Sequence, residues 1–186
     1  MKSKKTKEQY LAFLRGINVG GHHKVPMAEL RKEMEKLGFE KVATLLNSGN
    51  ILFDAIADDL EVLEKTIAAH LEKTFGFPIP TIIRKAEMMD ELLKDKPFED
   101  RLLTKEVRFY ISFLQKEPKI DLELPWISAD KSYEIIRVSD KNILSILDLS
   151  ISKTPKAMKV LEEYFGKGIT TRNWNTIKRI EKKRSK

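Results

Sequence analysis

The chain has 186 residues, no cysteine and a net charge of +7, with 41% hydrophobic and 34% charged residues. This is the composition of an ordinary globular protein, and the length allows one domain or two small half-domains. The absence of cysteine excludes a disulfide framework, thiolate chemistry and cysteine-rich zinc sites. The apolar run at residues 10–14 is too short for a signal peptide or membrane span, so we predict a cytoplasmic protein without membrane contact.

The positive charge lies at the two ends of the chain. Residues 1–8 carry a net charge of +3 and residues 178–186 carry +5, which leaves −1 for residues 9–177. Basic ends of this kind are usually solvated. We therefore predict flexible basic tails at residues 1–8 and 184–186 around a nearly neutral body.

The first half of the fold is predicted for residues 9–95. A continuous apolar run at residues 10–14 indicates a central strand. Apolar residues at helical spacing after Pro26 predict a helix that ends at Gly38. Two short apolar runs joined by a turn at residues 47–50 predict a hairpin, which a second helix and a fourth strand follow. The order β-α-β-β-α-β is that of the ferredoxin-like, or split βαβ, unit.

A second half that partly repeats the first is predicted downstream. It contains a helix at residues 86–94, an alternating strand at residues 107–113 with one wetter face, and a loop or short helix at residues 118–128. A further hairpin and a helix closed by Gly166 follow. The pattern suggests a structural duplication.

The last segment, after Gly168, does not fit the repeat and predicts only a helix capped by Thr170 or Thr171. We therefore predict an α+β fold with two ferredoxin-like (split βαβ) subdomains and an extra C-terminal helix. The first subdomain covers residues 9–95, and the second covers residues 96–183 together with that helix.

The richest candidate binding segment is the loop at residues 15–24, between the first strand and the first helix. Its glycines let backbone N–H groups approach a ligand, and the following helix offers its positive N-terminus. These features favour a phosphate or carboxylate, although the same glycines are also typical of a conformationally demanding connection. The candidate ligand groups are Arg15, Asn18, Gly20, Gly21 and Lys24.

Two further segments carry candidate ligand groups. In the predicted topology the turn containing Ser48 and Asn50 lies at the same sheet edge as the loop, so it would form a second wall of one polar cleft, although turn chemistry alone also explains its residues. Arg172 and Asn173 lie in the first turn predicted for the last helix, another anion-friendly end. The alternative there is a capped helix anchored in the core by Trp174.

No catalytic pattern is present, so catalytic residues and a reaction are left unassigned. Ser48 lacks the nucleophile-elbow motif, and no helical metal-binding motif occurs. The adjacent His22 and His23 point in different directions, and we interpret them as a solvated pair, with His70 as a partly buried structural residue. We therefore predict no metal and no cofactor.

Several of these motifs together resemble the bacterial domain-of-unknown-function family 1697 (DUF1697). The resemblance rests on the segment Arg-Gly-Ile-Asn-Val-Gly-Gly at residues 15–21, on Ser-Gly-Asn at residues 48–50 and on Thr-Arg-Asn-Trp at residues 171–174. It implies an α+β fold with ferredoxin-like halves and a bacterial cytosolic setting. It implies no activity, substrate or catalytic residue.

Three functions remain open from the sequence. The first is binding of a phosphate-bearing or other anionic small molecule at the edge formed by the glycine-rich loop and the hairpin turn. The second is a nucleic-acid-binding module that uses the basic tails. The third is a protein-interaction scaffold in which the strand at residues 107–113 contributes to an interface.

Overall fold

The computed structural model describes residues 6–119 and 122–185, and within them the chain forms two antiparallel sheets and five α-helices. The predicted α+β class is confirmed. The chain divides into two compact units, Met1–Glu91 and Leu92–Lys186, whose boundary falls inside the third helix. None of the described helices is long and apolar enough to cross a membrane.

The first unit has strands and helices in the order β-α-β-β-α-β, followed by the start of α3. Its elements are β1 (Lys7–Leu14), α1 (Met27–Lys36), β2 (Glu40–Leu45), β3 (Asn50–Ile56), α2 (Leu60–Phe75), β4 (Thr81–Lys85) and α3 (Glu87–Lys94). The strand order is β2-β3-β1-β4, and all neighbours are antiparallel. The strand β1 is therefore central, as its continuous apolar run predicts.

The core of the first unit lies where α1 and α2 pack on the sheet. Leu30 and Met34 of α1 and Ile67 and Leu71 of α2 are fully buried, at the helical spacing that predicts both helices. Gly76 ends α2 in a left-handed conformation with φ 81°, which glycine adopts without steric cost. In the sheet below, the end of β1, where the candidate loop begins, lies beside the start of β3, since Phe13 is paired with Asn50.

The prediction of a flexible tail at residues 1–8 is wrong for residues 7 and 8. Residues 7 and 8 belong to β1, where Lys7 pairs with Glu40 at 2.6 Å and Lys85 with Glu8 at 2.8 Å. Residues 7 and 8 form backbone hydrogen bonds with β3, and these bonds keep them in the sheet although their side chains are charged. Because β3 is distant in sequence, the local charge pattern does not reveal this pairing. Residues 1–5 of the predicted tail lie outside the described residues.

The predicted C-terminal tail at residues 184–186 also begins too early. Arg184 is the last residue of the final helix and lies 3.3 Å from Glu181, one turn before it. An ion pair at this spacing, together with a positive charge at the C-terminal end of a helix, favours continuation of the helix. Lys186 is outside the described part of the chain.

A buried carboxylate on α1 makes the first unit sensitive to acid. Lys36, which donates to Glu33 at 2.5 Å, and His70, whose Nε2 lies 2.9 Å from the other carboxylate oxygen, hold the pKa of Glu33 below its ordinary value of 4.5. The resulting stabilisation is complete above pH 4.5 and is lost as the pH falls through the lowered pKa in the folded state. The prediction that His70 is a partly buried structural residue is confirmed, because its side chain is 26% exposed and contacts Glu33.

We expect Glu33→Gln to flatten the decline in unfolding free energy below pH 4.5, because the variant has no proton to take up on unfolding. Urea unfolding at a series of pH values measures this slope. Glu35→Gln, at an exposed position on the same helix, is the matched control. Equal slopes for Glu33→Gln and the unmodified protein would contradict the assignment.

The second unit contains the other five strands and two further helices. Its elements are β5 (Val107–Leu114), β6 (Trp126–Ile127), β7 (Tyr133–Ser139), β8 (Asn142–Asp148), α4 (Thr154–Phe165), β9 (Ile169–Asn173) and α5 (Trp174–Arg184). The strand order is β6-β7-β8-β5-β9. If β6 is left out and the strands of each unit are numbered along the chain, both sheets have the same order: second, third, first and fourth strand.

The strand β9 corrects the prediction that the segment after Gly168 lies outside the repeat. Thr170 and Thr171 lie in β9, opposite Phe113 and Ser112 of β5, and neither caps the helix. β-branched residues suit a strand as well as a cap, and β9 joins α5 without an intervening turn that would have marked the boundary.

The strand β5 does not have the wetter face that its alternating sequence predicts. Tyr110 and Ser112 are both buried, because their hydroxyl groups find partners inside the unit: Thr154 at 3.1 Å and Thr171 at 2.6 Å. Buried polar groups are tolerated when they are hydrogen-bonded. In the predicted loop at residues 118–128, β6 pairs with β7; residues 120 and 121 lie outside the described residues.

The two sheets carry the same residue types at several equivalent positions. The same amino acid occurs at corresponding positions of equivalent strands in five pairs: Tyr10 and Tyr110, Phe13 and Phe113, Leu14 and Leu114, Asn50 and Asn142, and Arg84 and Arg172. In both units the asparagine is paired with the phenylalanine in the strand register. Both arginines are buried and donate from Nη1 to the carbonyl of the preceding residue, at 2.9 Å each.

Candidate functional site

The predicted glycine-rich loop is a short hairpin, called here the glycine hairpin (residues 15–25). The N–H of His22 donates to the carbonyl of Val19 at 3.0 Å across a two-residue turn. Both turn residues, Gly20 with φ 59° and Gly21 with φ 79°, have the positive φ that a type I′ turn requires. A Gly-Gly pair is the sequence signal of this turn, so its glycines serve conformation first.

Asn18 closes the base of the glycine hairpin. Its Nδ2 donates to the carbonyls of Val25 at 3.0 Å and Asn47 at 2.9 Å, and its Oδ1 accepts the N–H of Val25 at 2.9 Å. Its φ of 54° lies in the left-handed region, which asparagine tolerates better than most residues. Because these bonds use the amide fully as a donor, Asn18 positions the hairpin.

The turn before β3 packs directly against the glycine hairpin, in agreement with the predicted topology. The N–H of Leu14 donates to the carbonyl of Gly49 at 2.8 Å. Asn50 is fully buried, and its Nδ2 donates to the carbonyl of Leu45 at 2.9 Å and to Oγ of Ser48 at 3.0 Å. Asn50 therefore stabilises the turn from inside, whereas Ser48 is exposed.

The two adjacent histidines are both exposed, as predicted, but they differ in their surroundings. The ring of His23 stacks on Phe77 with centroids 4.3 Å apart, and its Nδ1 lies 3.1 Å from the carbonyl of Gly16. Because a carbonyl only accepts, this bond requires the proton on Nδ1. Among the residues described, no three histidine or acidic side chains form a metal-binding group.

Several backbone donors in the glycine hairpin and at the start of α1 have no partner among residues 6–119 and 122–185. They are the N–H groups of Gly20 and Gly21 and those of the first turn of α1 at residues 27–29. The helix begins after Pro26, whose side chain cannot cap it. Lys24, two residues earlier, is exposed and forms no ion pair with a described residue. These groups could meet an anion.

The other predicted ligand residues, Arg172 and Asn173, belong to the second unit and have different roles. Arg172 is 7% exposed, donates to Oγ1 of Thr170 at 2.8 Å, and burial lowers its pKa to about 10. Asn173 caps α5 by accepting the N–H of Asn175 at 2.9 Å. The predicted anion-friendly helix start is therefore already capped by a side chain.

Asn173 also lines a cavity of about 660 Å³ in the second unit, which the sequence did not reveal. The cavity lies among the segment after α3, the beginning of β5 and the first turn of α5. Its aromatic residues are Phe98, Phe109 and Trp174, which are far apart in the chain. Because these three residues are separated in the sequence, no local sequence pattern distinguishes them from ordinary core residues.

A family model described as "Protein of unknown function (DUF1697)" matches residues 8–143. The chain belongs to this family. The matched region contains the glycine hairpin and the turn at residues 47–50, whereas Arg172 and Asn173 lie beyond it. No curated protein matches this DUF1697 chain.

A solved structure similar to this DUF1697 chain is described as that of conserved bacterial protein SP0830 from Streptococcus pneumoniae. The two share 28% sequence identity with a TM-score of 0.70, and the match covers 95% of this chain and 98% of the other. The similarity extends over both units and supports their architecture. The description of SP0830 names no activity or ligand.

Proposed function

We propose that the protein binds a small anionic ligand, such as a phosphate-bearing molecule, where the glycine hairpin meets the start of α1. The observation that carries the proposal is the N-terminus of α1, which has no side-chain cap and begins three residues after Lys24. The orphan N–H groups and the helix dipole favour an anion there, and the lysine adds a full positive charge. The N–H groups of Gly20 and Gly21 add two further donors.

In this proposal some of the predicted ligand residues contact the anion, and others hold the loop and the turn in position. Lys24, Gly20 and Gly21 contact the anion, while Asn18 and Asn50 hold the two walls in place. Arg15 and Ser48 remain proposed contacts at the same edge; both also interact within the protein. The predicted contribution of Arg172 and Asn173 to this anion site is not retained.

The helix terminus offers a test that separates binding from folding. We expect Pro26→Asp to raise the melting temperature, because a carboxylate at the N-cap would bond the free N–H groups, and at the same time to abolish anion binding through repulsion. The probe is pyrophosphate, compared with sodium chloride of equal ionic strength. Differential scanning fluorimetry measures both effects.

A substitution of Lys24 provides a second test of the proposed anion site. Lys24→Gln should reduce the pyrophosphate-dependent rise in melting temperature by at least about half, since one of the site's few full charges is removed. Lys32→Gln, at an exposed position further along α1, is the matched control and should leave that rise unchanged. A rise that survives both Pro26→Asp and Lys24→Gln would place the anion elsewhere.

We further infer that both units are variants of the ferredoxin-like unit. The order β2-β3-β1-β4 with its two helices supports this for the first unit, and the matching order of β7, β8, β5 and β9 supports it for the second. A bacterial cytosolic setting is also proposed. The cysteine-free composition and the bacterial source of the similar structure support it.

The two alternative functions gain less support. Of the basic tails proposed to bind nucleic acid, residues 1–5 and 186 lie outside the described residues. The strand proposed as an interface, β5, is bonded on both sides, by β8 and β9, and so has no free edge to offer. An edge strand is the usual place for pairing with another chain.

A further inference from the structure

The cavity of the second unit has an aromatic floor. The rings of Phe98 and Phe109 are stacked with centroids 4.5 Å apart and planes 7° from parallel, and Trp174 meets Phe98 edge-on at 5.1 Å. Each of the three residues is only 6% exposed. Because β9 runs straight into α5, Trp174 is placed beside β5, where it completes this floor.

The rim of the cavity is strongly cationic. Its charged lining residues include one carboxylate, Glu99, and the cations Lys96, Arg101, Lys105, Arg108 and Lys178. Two of these cations are neutralised, Lys96 by Glu99 at 2.6 Å and Arg101 by Glu134 at 2.7 Å. Neither Lys105 nor Lys178 forms an ion pair with a residue in the described part of the chain.

One lining residue also carries a polar donor. The indole N–H of Trp174 donates to no described residue, and its nitrogen is not fully buried, so it remains accessible to water or to a ligand. Leu103, which is 53% exposed, adds apolar surface at the entrance. The volume of about 660 Å³ is within the range of small-molecule sites, which are typically apolar with a few placed polar groups.

We propose that this cavity is a second binding site, for a planar aromatic molecule that carries a negative charge. Its ring would lie against Phe98, Phe109 and Trp174, and its anionic group would lie between Lys105 and Lys178. The shared chemistry is found in aromatic carboxylates and in nucleoside monophosphates. The site uses residues of the second unit alone and is independent of the anion site proposed at the glycine hairpin.

Two probes, 2-naphthoate and adenosine monophosphate, distinguish the two sources of this chemistry. The Trp126→Phe variant leaves Trp174 as the only tryptophan, so a ¹⁵N-labelled sample gives one indole N–H resonance. We expect that resonance to shift on addition of at least one probe. The probe that shifts it identifies the source, and uncharged 2-naphthalenemethanol should bind at least about tenfold more weakly than 2-naphthoate.

Calorimetric titration of charge variants tests the rim. Lys105→Gln/Lys178→Gln should weaken binding of the responding probe by about tenfold, and Leu103→Ser should weaken it by about threefold, through loss of ionic and apolar contacts respectively. Lys131→Gln/Lys159→Gln removes the same charge elsewhere on the second unit and should have no effect.

Three results would overturn the proposal: no resonance shift with either probe, equal affinity for 2-naphthalenemethanol and 2-naphthoate, or unchanged affinity in Lys105→Gln/Lys178→Gln. Lys24→Gln separates this site from the one at the glycine hairpin. Probe binding that is lost in Lys24→Gln but kept in the rim variant would assign the probe to the hairpin and exclude the cavity. The opposite pattern supports the cavity, whether or not the hairpin binds pyrophosphate.

Discussion

Replacing Gly49 by alanine is expected to lower the free energy of unfolding by about 2–4 kcal/mol, from the combined costs of a left-handed residue and an overpacked core. A Cβ at this position would lie 2.7 Å from Cβ of Leu14 and 2.8 Å from Cδ1 of Ile17, and the backbone has φ 74°. The neighbouring atoms belong to a strand and a buried side chain, which have little room to move. Urea unfolding measures the change.

The matched control is Gly20→Ala, at the tip of the glycine hairpin. Gly20 also has a positive φ, 59°, but a Cβ there would have no atom within 4 Å. Only the conformational cost of about 1–2 kcal/mol should remain. Equal losses in the two variants would show that the close approach of Gly49 to β1 contributes nothing.

The second large effect is expected at Asn18. Asn18→Ala should destabilise the protein by about 2–4 kcal/mol, because it leaves the N–H of the buried Val25 and two carbonyls without their partner and puts alanine in a left-handed conformation. The same variant should lose the melting-temperature response to pyrophosphate, since the two walls of the site are no longer joined. Chemical denaturation and scanning fluorimetry measure the two effects.

Asn47→Ala is the control for this prediction. Asn47 is exposed and contributes only its backbone carbonyl to the bond with Asn18, so the substitution preserves that bond. It should change the unfolding free energy by less than about 0.5 kcal/mol. A loss in Asn18→Ala as small as that of Asn47→Ala would mean that the side-chain bonds of Asn18 do not stabilise the hairpin.

Local patterns predicted most of the helices and strands because each carries its own signal. The apolar run in β1 indicates a strand buried on both faces, and the spacing of Leu30 and Met34 indicates a helix. The strand β9 has no such signal. Its threonines suit a cap or a strand, and only the register against β5 decides between them.

The candidate site was harder to predict, because its side chains act through residues distant in sequence. The loop and the turn at residues 47–50 were correctly placed together from topology. The role of Asn18 was missed, since its partner Asn47 is 29 residues away and no local pattern reveals the bond. For the same reason the aromatic floor was not predicted, because Phe98 and Trp174 lie on separate elements and only Trp174 was interpreted, as a core anchor.

The matching strand positions of the two units separate a shared framework from the segments that differ. Arg84 and Arg172 lie on equivalent strands, while the connection after the first strand is a hairpin and helix in one unit and a segment containing β6 in the other. The proposed anion site belongs to the connection after β1, whereas the cavity is lined by the segment before β5, the beginning of β5 and the first turn of α5. The two sites therefore occupy places that are not equivalent in the two units, and a substitution in one has no counterpart in the other.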